Sequence, residues 1–285
     1  MSISVVYIAR GRDAGLASAK RFFDGYKEKP PGCENRLCLV TKGWDGVPGL
    51  SDVKTLASEL GACIVDLPDD GYDWGAYMRI APNLSGEWLC LLNSHSCPLV
   101  PGWLSMLQSI AIEHPMVGAC GATGSWGTWY FRSPFLERQF SSLMLYPARV
   151  GRALIDHIRR IGEVTPFPNP HLRSNGIFIK RKLFLEFCIQ NSVPRNKRDS
   201  HLLESGKNGL SNFLFAKGYG IKVVGANGAS YDPEFWMDSK TFRVPTQSNL
   251  LILDNQTRAY ELANHDRKRR LEYASWGEIF TPKSR

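Results

Sequence analysis

Long apolar runs are what this sequence most plainly lacks. No stretch of roughly 18 apolar residues occurs, which excludes an ordinary membrane-spanning helix. The opening residues 1–9 carry no basic segment, and their apolar run is too short for a secretory signal, so they read as a first β-strand. Cysteine is present but unpatterned: seven residues, an odd set, with no C-x-x-C pair. Most sit in apolar runs such as Trp88–Leu92, where a thiol behaves as a small hydrophobe. A disulfide or zinc framework is therefore not expected, and reduced thiols in a cytoplasmic protein are. Repeats and low-complexity tracts are absent too. Acidic residues are the minority charge, 27 against 35 Lys and Arg, for a net +8 and a pI near 9.1. That balance favours anionic partners (nucleotides, nucleic acid, acidic glycans or a phospholipid surface) without choosing among them. A solvated basic face is the plain alternative.

What is there suffices for a large core. The chain has 285 residues, 43% apolar and 22% charged, which excludes disorder. Short apolar runs alternate with helical periodicity. Strands are expected at residues 3–9, 36–40, 62–67, 87–92, 116–120, 177–179 and 221–224. Helices are expected at 14–26, 53–60, 74–81, 101–114, 135–146, 149–161, 210–217 and 257–276. Strands separated by helices of this length predict an α/β fold with a mostly parallel sheet. The organisation expected is a first half over 1–125, a loop and helical insertion over 126–170, a second half over 171–240 and a C-terminal extension over 241–285.

In open α/β sheets ligands bind beyond the carboxyl ends of the strands, which directs attention to residues 10–13, 41–45, 69–73, 93–96 and 121–129. Gly118, Gly121 and Gly124 are spaced G-x-x-G-x-x-G, which is not the dinucleotide fingerprint. Three ordered segments carry more: residues 40–45, ending at Asp45; Asp73-Trp74-Gly75; and residues 92–104, a strand end with a polar quartet running into Pro101-Gly102-Trp103-Leu104. A fourth, residues 202–210, leads to Gly218-Tyr219 and a strand. In this order they resemble the inverting glycosyltransferases of family 2, with the GT-A, Rossmann-like fold. The resemblance spans roughly residues 1–235.

The resemblance implies transfer of a sugar from a UDP, GDP or dTDP sugar to a hydroxyl, with inversion. Donor contacts would come from Ala9, Arg10, Arg12, Asp45, Asp73, Gly75, Asn93 and Ser94, the two aspartates holding base and ribose. The family's DxD carboxylates hold Mn²⁺ or Mg²⁺ on the diphosphate, whereas the quartet here offers only Asn93 and His95. Either the metal is weakly held by these two, or Arg10, Arg12 and Lys42 replace it. Glu204 falls where the family's acidic residues would supply the general base, ahead of a helix, with Asp199 as second choice. Acceptor contacts would come from Trp126, Trp129, His171, Arg173 and Asn175, although the tryptophans could equally anchor the core. The acceptor class left open is a glycan, a lipid-linked hydroxyl or a nucleic acid, with peripheral contact at the inner face of the membrane through Arg267–Arg270 and no preference on oligomeric state. Two other readings stand beside this one: a polyanion- or glycan-binding protein with a decayed transferase site, and a sugar nucleotidyltransferase, which the missing Gly-rich phosphate loop disfavours.

Overall fold

The structure, a computed structural model, describes residues 2–128 and 162–280. The expected 135–161 helices and Trp129 lie outside them. An eight-stranded sheet forms the centre. In chain order its strands are β1 (Ile3–Arg10), β2 (Arg36–Lys42), β3 (Cys63–Asp66), β4 (Trp88–Leu92), β6 (Val117–Gly121), β9 (Ile177–Lys180), β10 (Gly220–Val224) and β11 (Ser230–Tyr231). Across the sheet the order is β11-β10-β6-β9-β4-β1-β2-β3. β9 runs antiparallel between β4 and β6, β11 runs antiparallel at one edge, and the remaining pairs are parallel. The α/β class with a mostly parallel sheet is as expected from the sequence.

Alternation along β1 explains why it is central. Val6 and Ile8 enter one core cluster, Val5, Tyr7 and Ala9 the other, so both faces are covered. One layer holds α1 (Gly15–Glu28), α2 (Leu50–Glu59) and α4 (Trp103–Glu113), with Phe22 stacked 3.6 Å from Tyr7. The opposite layer holds α3 (Tyr72–Ile80), α5 (Arg181–Gln190), α6 (Lys197–Ser205) and α7 (Leu210–Ala216).

Two ribbons extend the sheet's carboxyl edge. β7 (Gly124–Ser125) pairs with β8 (His171–Leu172), and β5 (Cys97–Pro98) pairs with β12 (Ile252–Leu253). The single helix expected at 257–276 is two: α8 (Asn255–Glu261) and α9 (His265–Trp276), broken at Leu262–Asn264 where Asn264 caps the second. Leu262 is 82% exposed, while Tyr260 and Trp276 are buried. Phe242, Val244 and residues 250–252 are buried as well, so the C-terminal segment helps to close the core.

Candidate functional site

Loops after β1, β2, β3 and β4 meet along one edge. Arg10, the last residue of β1, grips Asp69 with two hydrogen bonds, Nε to Oδ1 at 2.6 Å and Nη2 to Oδ2 at 3.0 Å, and also bonds Asp13. The Asp69 bonds hold that carboxyl below the ordinary carboxylate value. Gly43 makes the arrangement possible: its φ is +64°, and a Cβ there would lie 2.7 Å from Asp69 Cγ. Lys42 is almost wholly buried and donates to the carbonyls of Asp70 and Tyr72 at 2.6 and 2.9 Å. Burial pulls its ammonium pKa down despite Asp69 and Asp73 nearby. Lys42 thus pins the loop that opens α3. Of the three cations expected on a diphosphate, Lys42 is committed to backbone, Arg10 to Asp69, and Arg12 reaches solvent with only a 3.8 Å approach to Asp69.

Asp73 lies in the first turn of α3, after Gly71 at φ +66°, and burial pushes its carboxyl up to about 6 against the opposing pull of Lys42, with Glu204 adding to the rise. Gly75 serves the helix, donating its N–H to Gly71 at 2.7 Å. Asp45 stands exposed on the turn after β2, apart from this cluster's hydrogen bonds, whereas Asp69 lies within it. Ala9 is core, its carbonyl taken by the Trp44 indole at 2.9 Å.

Glu204 precedes α7, as expected, and also sits in the last turn of α6, a helix the sequence did not announce. The helix dipole opposes a carboxylate there, so other groups must hold it. Burial alone would raise its carboxyl, but Arg173, His171, His201 and the Ser174 N–H, 3.1 Å from Oε2, together bring it below the ordinary value. Tyr77 donates to the Ser174 carbonyl at 3.1 Å, and Asn169 to that of Ser205 at 2.7 Å, fixing both flanks. Asp199 is spent elsewhere: its carboxylate accepts the Arg195 N–H at 3.0 Å and borders a surface groove of about 560 Å³ with Lys207.

The polar quartet folds back on itself. Asn93 Oδ1 accepts the His95 N–H at 2.9 Å and the Ser96 hydroxyl at 3.4 Å, and the Ser94 carbonyl accepts from Tyr7 at 3.2 Å. His95 Nδ1 lies 3.4 Å from Ser18 Oγ, and burial lowers its pKa, leaving the ring neutral. A divalent cation would find one neutral imidazole, a carbonyl oxygen already used and no carboxylate in this stretch. The pair does not fit the metal the resemblance implies, and among the described residues no three His, Cys, Asp or Glu side chains gather around a common point.

The expected acceptor residues divide. Trp126 is a structural anchor: its indole donates to the Pro233 carbonyl at 2.8 Å and meets Trp276 edge-on at 5.6 Å. Asn175 is buried too, accepting from Ser96 and donating to the Ile252 carbonyl at 3.4 Å. His171, with Nδ1 2.7 Å from the Asn169 carbonyl, and Arg173 lie close enough to Glu204 to stabilise its charge. Sequence reasoning pointed to the 69–73 segment without singling out Asp69, and missed Asp254, fully buried with Oδ2 3.5 Å from Arg173 Nη2. The one signal for Asp254 was its spacing from Thr257, a capping box at the start of α8.

No family model matches the chain, and no curated protein is similar to it. Solved structures do resemble it. Mannosyltransferase PcManGT from Pyrobaculum calidifontis, in complex with GDP-Man and Mn²⁺, shares 14% identity over 77% of this chain and 53% of its own, at a TM-score of 0.47. Glucosyl-3-phosphoglycerate synthase from Mycobacterium tuberculosis, with Mn²⁺ and UDP-glucose, shares 16% over 64% and 57%, at 0.36. S. aureus TarS 1-349, with UDP-GlcNAc, shares 14% over 42% and 33%, at 0.34. The chain thus spans about a third to less than three fifths of these neighbours' length.

Proposed function

We propose that the chain is an inverting glycosyltransferase of GT-A type that moves a sugar from a nucleoside-diphosphate sugar to a hydroxyl acceptor. The observation that carries this reading is that α3, with Asp73, and α6, with Glu204, are in contact beyond the carboxyl ends of the strands and are tied through Ser174, which accepts from Tyr77 and donates its N–H to Glu204. The two carboxyls are close enough for Glu204 to raise that of Asp73, yet their environments push the two acidities apart. Glu204, kept ionised by Arg173, His171 and Ser174, takes the acceptor hydroxyl's proton as that oxygen attacks the anomeric carbon, and the nucleoside diphosphate leaves from the opposite face. Asp73, at the start of α3, accepts hydrogen bonds from the donor's nucleoside. Arg10 and Arg12 face the leaving phosphates, Arg10 by exchanging its exposed partner Asp13 for a phosphate oxygen. No step is routed through a metal.

The test is release of free nucleotide from a panel of UDP, GDP and dTDP sugars by the full chain, with binding of each nucleoside diphosphate measured by calorimetry. Turnover with one donor, lost in Glu204→Gln, is expected. Nucleotide binding without turnover of any donor would favour a binding protein with a decayed transferase site.

A further inference from the structure

Unpaired polar atoms are unevenly spread over the molecule. Among the described residues, four of the buried side-chain atoms that lack a hydrogen-bond partner lie on or beside the β7–β8 ribbon: Thr123 Oγ1, Asn169 Oδ1, and Nε and Nη1 of Arg173. The ribbon brings them together, because the Arg173 N–H donates to the Thr123 carbonyl at 3.1 Å and the Asn169 N–H to that of Trp126 at 2.9 Å. Arg173 is the costly member. Its side chain is 9% exposed, and a buried guanidinium is tolerated only with its donors satisfied.

Its one carboxylate contact is weak. Asp254 Oδ2 lies 3.5 Å from Nη2, while Oδ1 is already shared by the N–H groups of Gln256 and Thr257 and the Thr257 hydroxyl. Both donor forks of the guanidinium, Nε with Nη2 and Nη1 with Nη2, therefore keep an unpaired, buried arm. The planar group is held in place, lying over the Phe242 ring with Cζ 4.2 Å from its centroid. A rigid, forked cation with unpaired arms is suited to a planar or tetrahedral oxyanion. A site built only to keep Glu204 ionised would need the charge and not the unpaired forks.

We infer that the acceptor is an anion, whose phosphate or carboxylate is held by Arg173 with the Thr123 hydroxyl, beside Glu204. This rests on the transferase reading for the word acceptor; the anion site itself does not. The anion exchanges with the long Asp254 contact and takes the unpaired arms, which fixes the acceptor's hydroxyl relative to Glu204. The ligand's negative charge then offsets the Arg173 charge that favours the ionised Glu204. The Glu204 carboxylate consequently becomes a stronger base once the acceptor is seated.

The experiment titrates inorganic phosphate, and separately succinate, into the full chain saturated with whichever nucleoside diphosphate it binds, so that the donor's phosphate places are filled. Phosphate or succinate is expected to bind alongside the nucleotide, the tighter of the two naming the group. Arg173→Gln should weaken it about tenfold or more, as expected for a lost charged hydrogen bond, with nucleotide affinity held within about twofold. Arg173→Lys keeps the charge and loses the fork; it should melt near wild type and still bind the anion poorly. Absence of anion binding to the nucleotide-saturated protein, or anion binding only when nucleotide is left out, overturns the inference while the transferase reading stands. If no nucleoside diphosphate binds, the transferase reading falls. In that case anion binding to the unliganded chain, lost in Arg173→Gln, upholds the site, and its absence removes that too.

Discussion

The two sides of the candidate site are built to different standards of completeness. On the β1–β3 side the two cations drawn into the edge have firm partners: Arg10 is gripped by Asp69 and Asp13, and Lys42 by two carbonyls. On the β7–β8 side Arg173, Thr123 and Asn169 leave buried donors and acceptors unused. The first side is preorganised by its own residues, so a ligand there must exchange contacts. The second is stabilised by what it binds. The two carboxylates repeat the contrast, Asp73 disfavoured as an anion by burial and Glu204 favoured by its neighbours.

The sharpest way to break this comparison is to remove the favoured carboxylate. Glu204→Gln should lower kcat by about 10²–10⁴-fold, the worth of a positioned general base, with nucleotide affinity little changed. Wild-type turnover in that variant, with none in Asp199→Asn, would move the base to the surface groove.

Next in size is the preorganised side. Gly43→Val must adopt φ +64° and drive its Cβ into Asp69. A loss of about 2 kcal/mol is expected, lowering Tm by roughly 4–8 °C, with weaker nucleotide binding as Arg10 is displaced. An unchanged Tm would mean that the Arg10–Asp69 grip is not what orders this edge.

Asp73→Asn separates stability from function. Between the ordinary carboxylate value and about 6 the folded chain holds a proton that the unfolded chain has released, so stability falls as pH rises through that window. The whole cost is present at pH 7.5, and Asp73→Asn removes it. A gain of about 1 kcal/mol is expected in thermal melts, less than the shift alone implies because the carboxylate is partly open to water. Nucleotide affinity should drop at the same time. Glu204 has the opposite sign: its contribution is present above the ordinary value and lost as pH falls through the lower, folded one. A destabilised Asp73→Asn at pH 7.5 would contradict the burial argument.

Metal removal should do little. The quartet supplies no anionic ligand, so turnover in EDTA should stay within about twofold of the untreated protein, a change near the noise of such comparisons. Turnover abolished by EDTA, restored by Mn²⁺ and lost in His95→Ala would show that the quartet rearranges on donor binding.

Smallest of all is the basic run. Arg267 and Arg270 are exposed, and Lys268 lies over the Tyr260 ring at 5.4 Å. Changing residues 267–270 to Gln should alter stability by no more than about 0.5 kcal/mol. Co-sedimentation with anionic liposomes that disappears in this variant would give the run a membrane role.

The layered fold was legible because it rests on periodicity, and β1, β4 and α4 fall within two residues of their expected bounds. An ordered pattern singled out Glu204 and Asp73, but Glu204's place at the end of α6 was not legible. The helix over 197–205 is polar overall, with only Leu203 buried, so no apolar run announces it. The commitments of Lys42, Trp126 and Asn175 were illegible for another reason: each is decided by a carbonyl far away in the chain. Asp69 and Asp254 reach the site from loops whose composition resembles any other polar turn.

β12 has a consequence for how the protein is made. The ribosome releases β5 some 150 residues before the strand that pairs with it, and Ser275 and Trp276, which brace β7 and Trp126, come later still. During synthesis the sheet's carboxyl edge is thus a half-built surface, with Arg173 lacking both Phe242 and Asp254. Competence arrives as a late event, set by translation of the last helix and not by collapse of the first. A chain stalled before residue 250 would hold most of its strands but lack the bracing of the β7–β8 side.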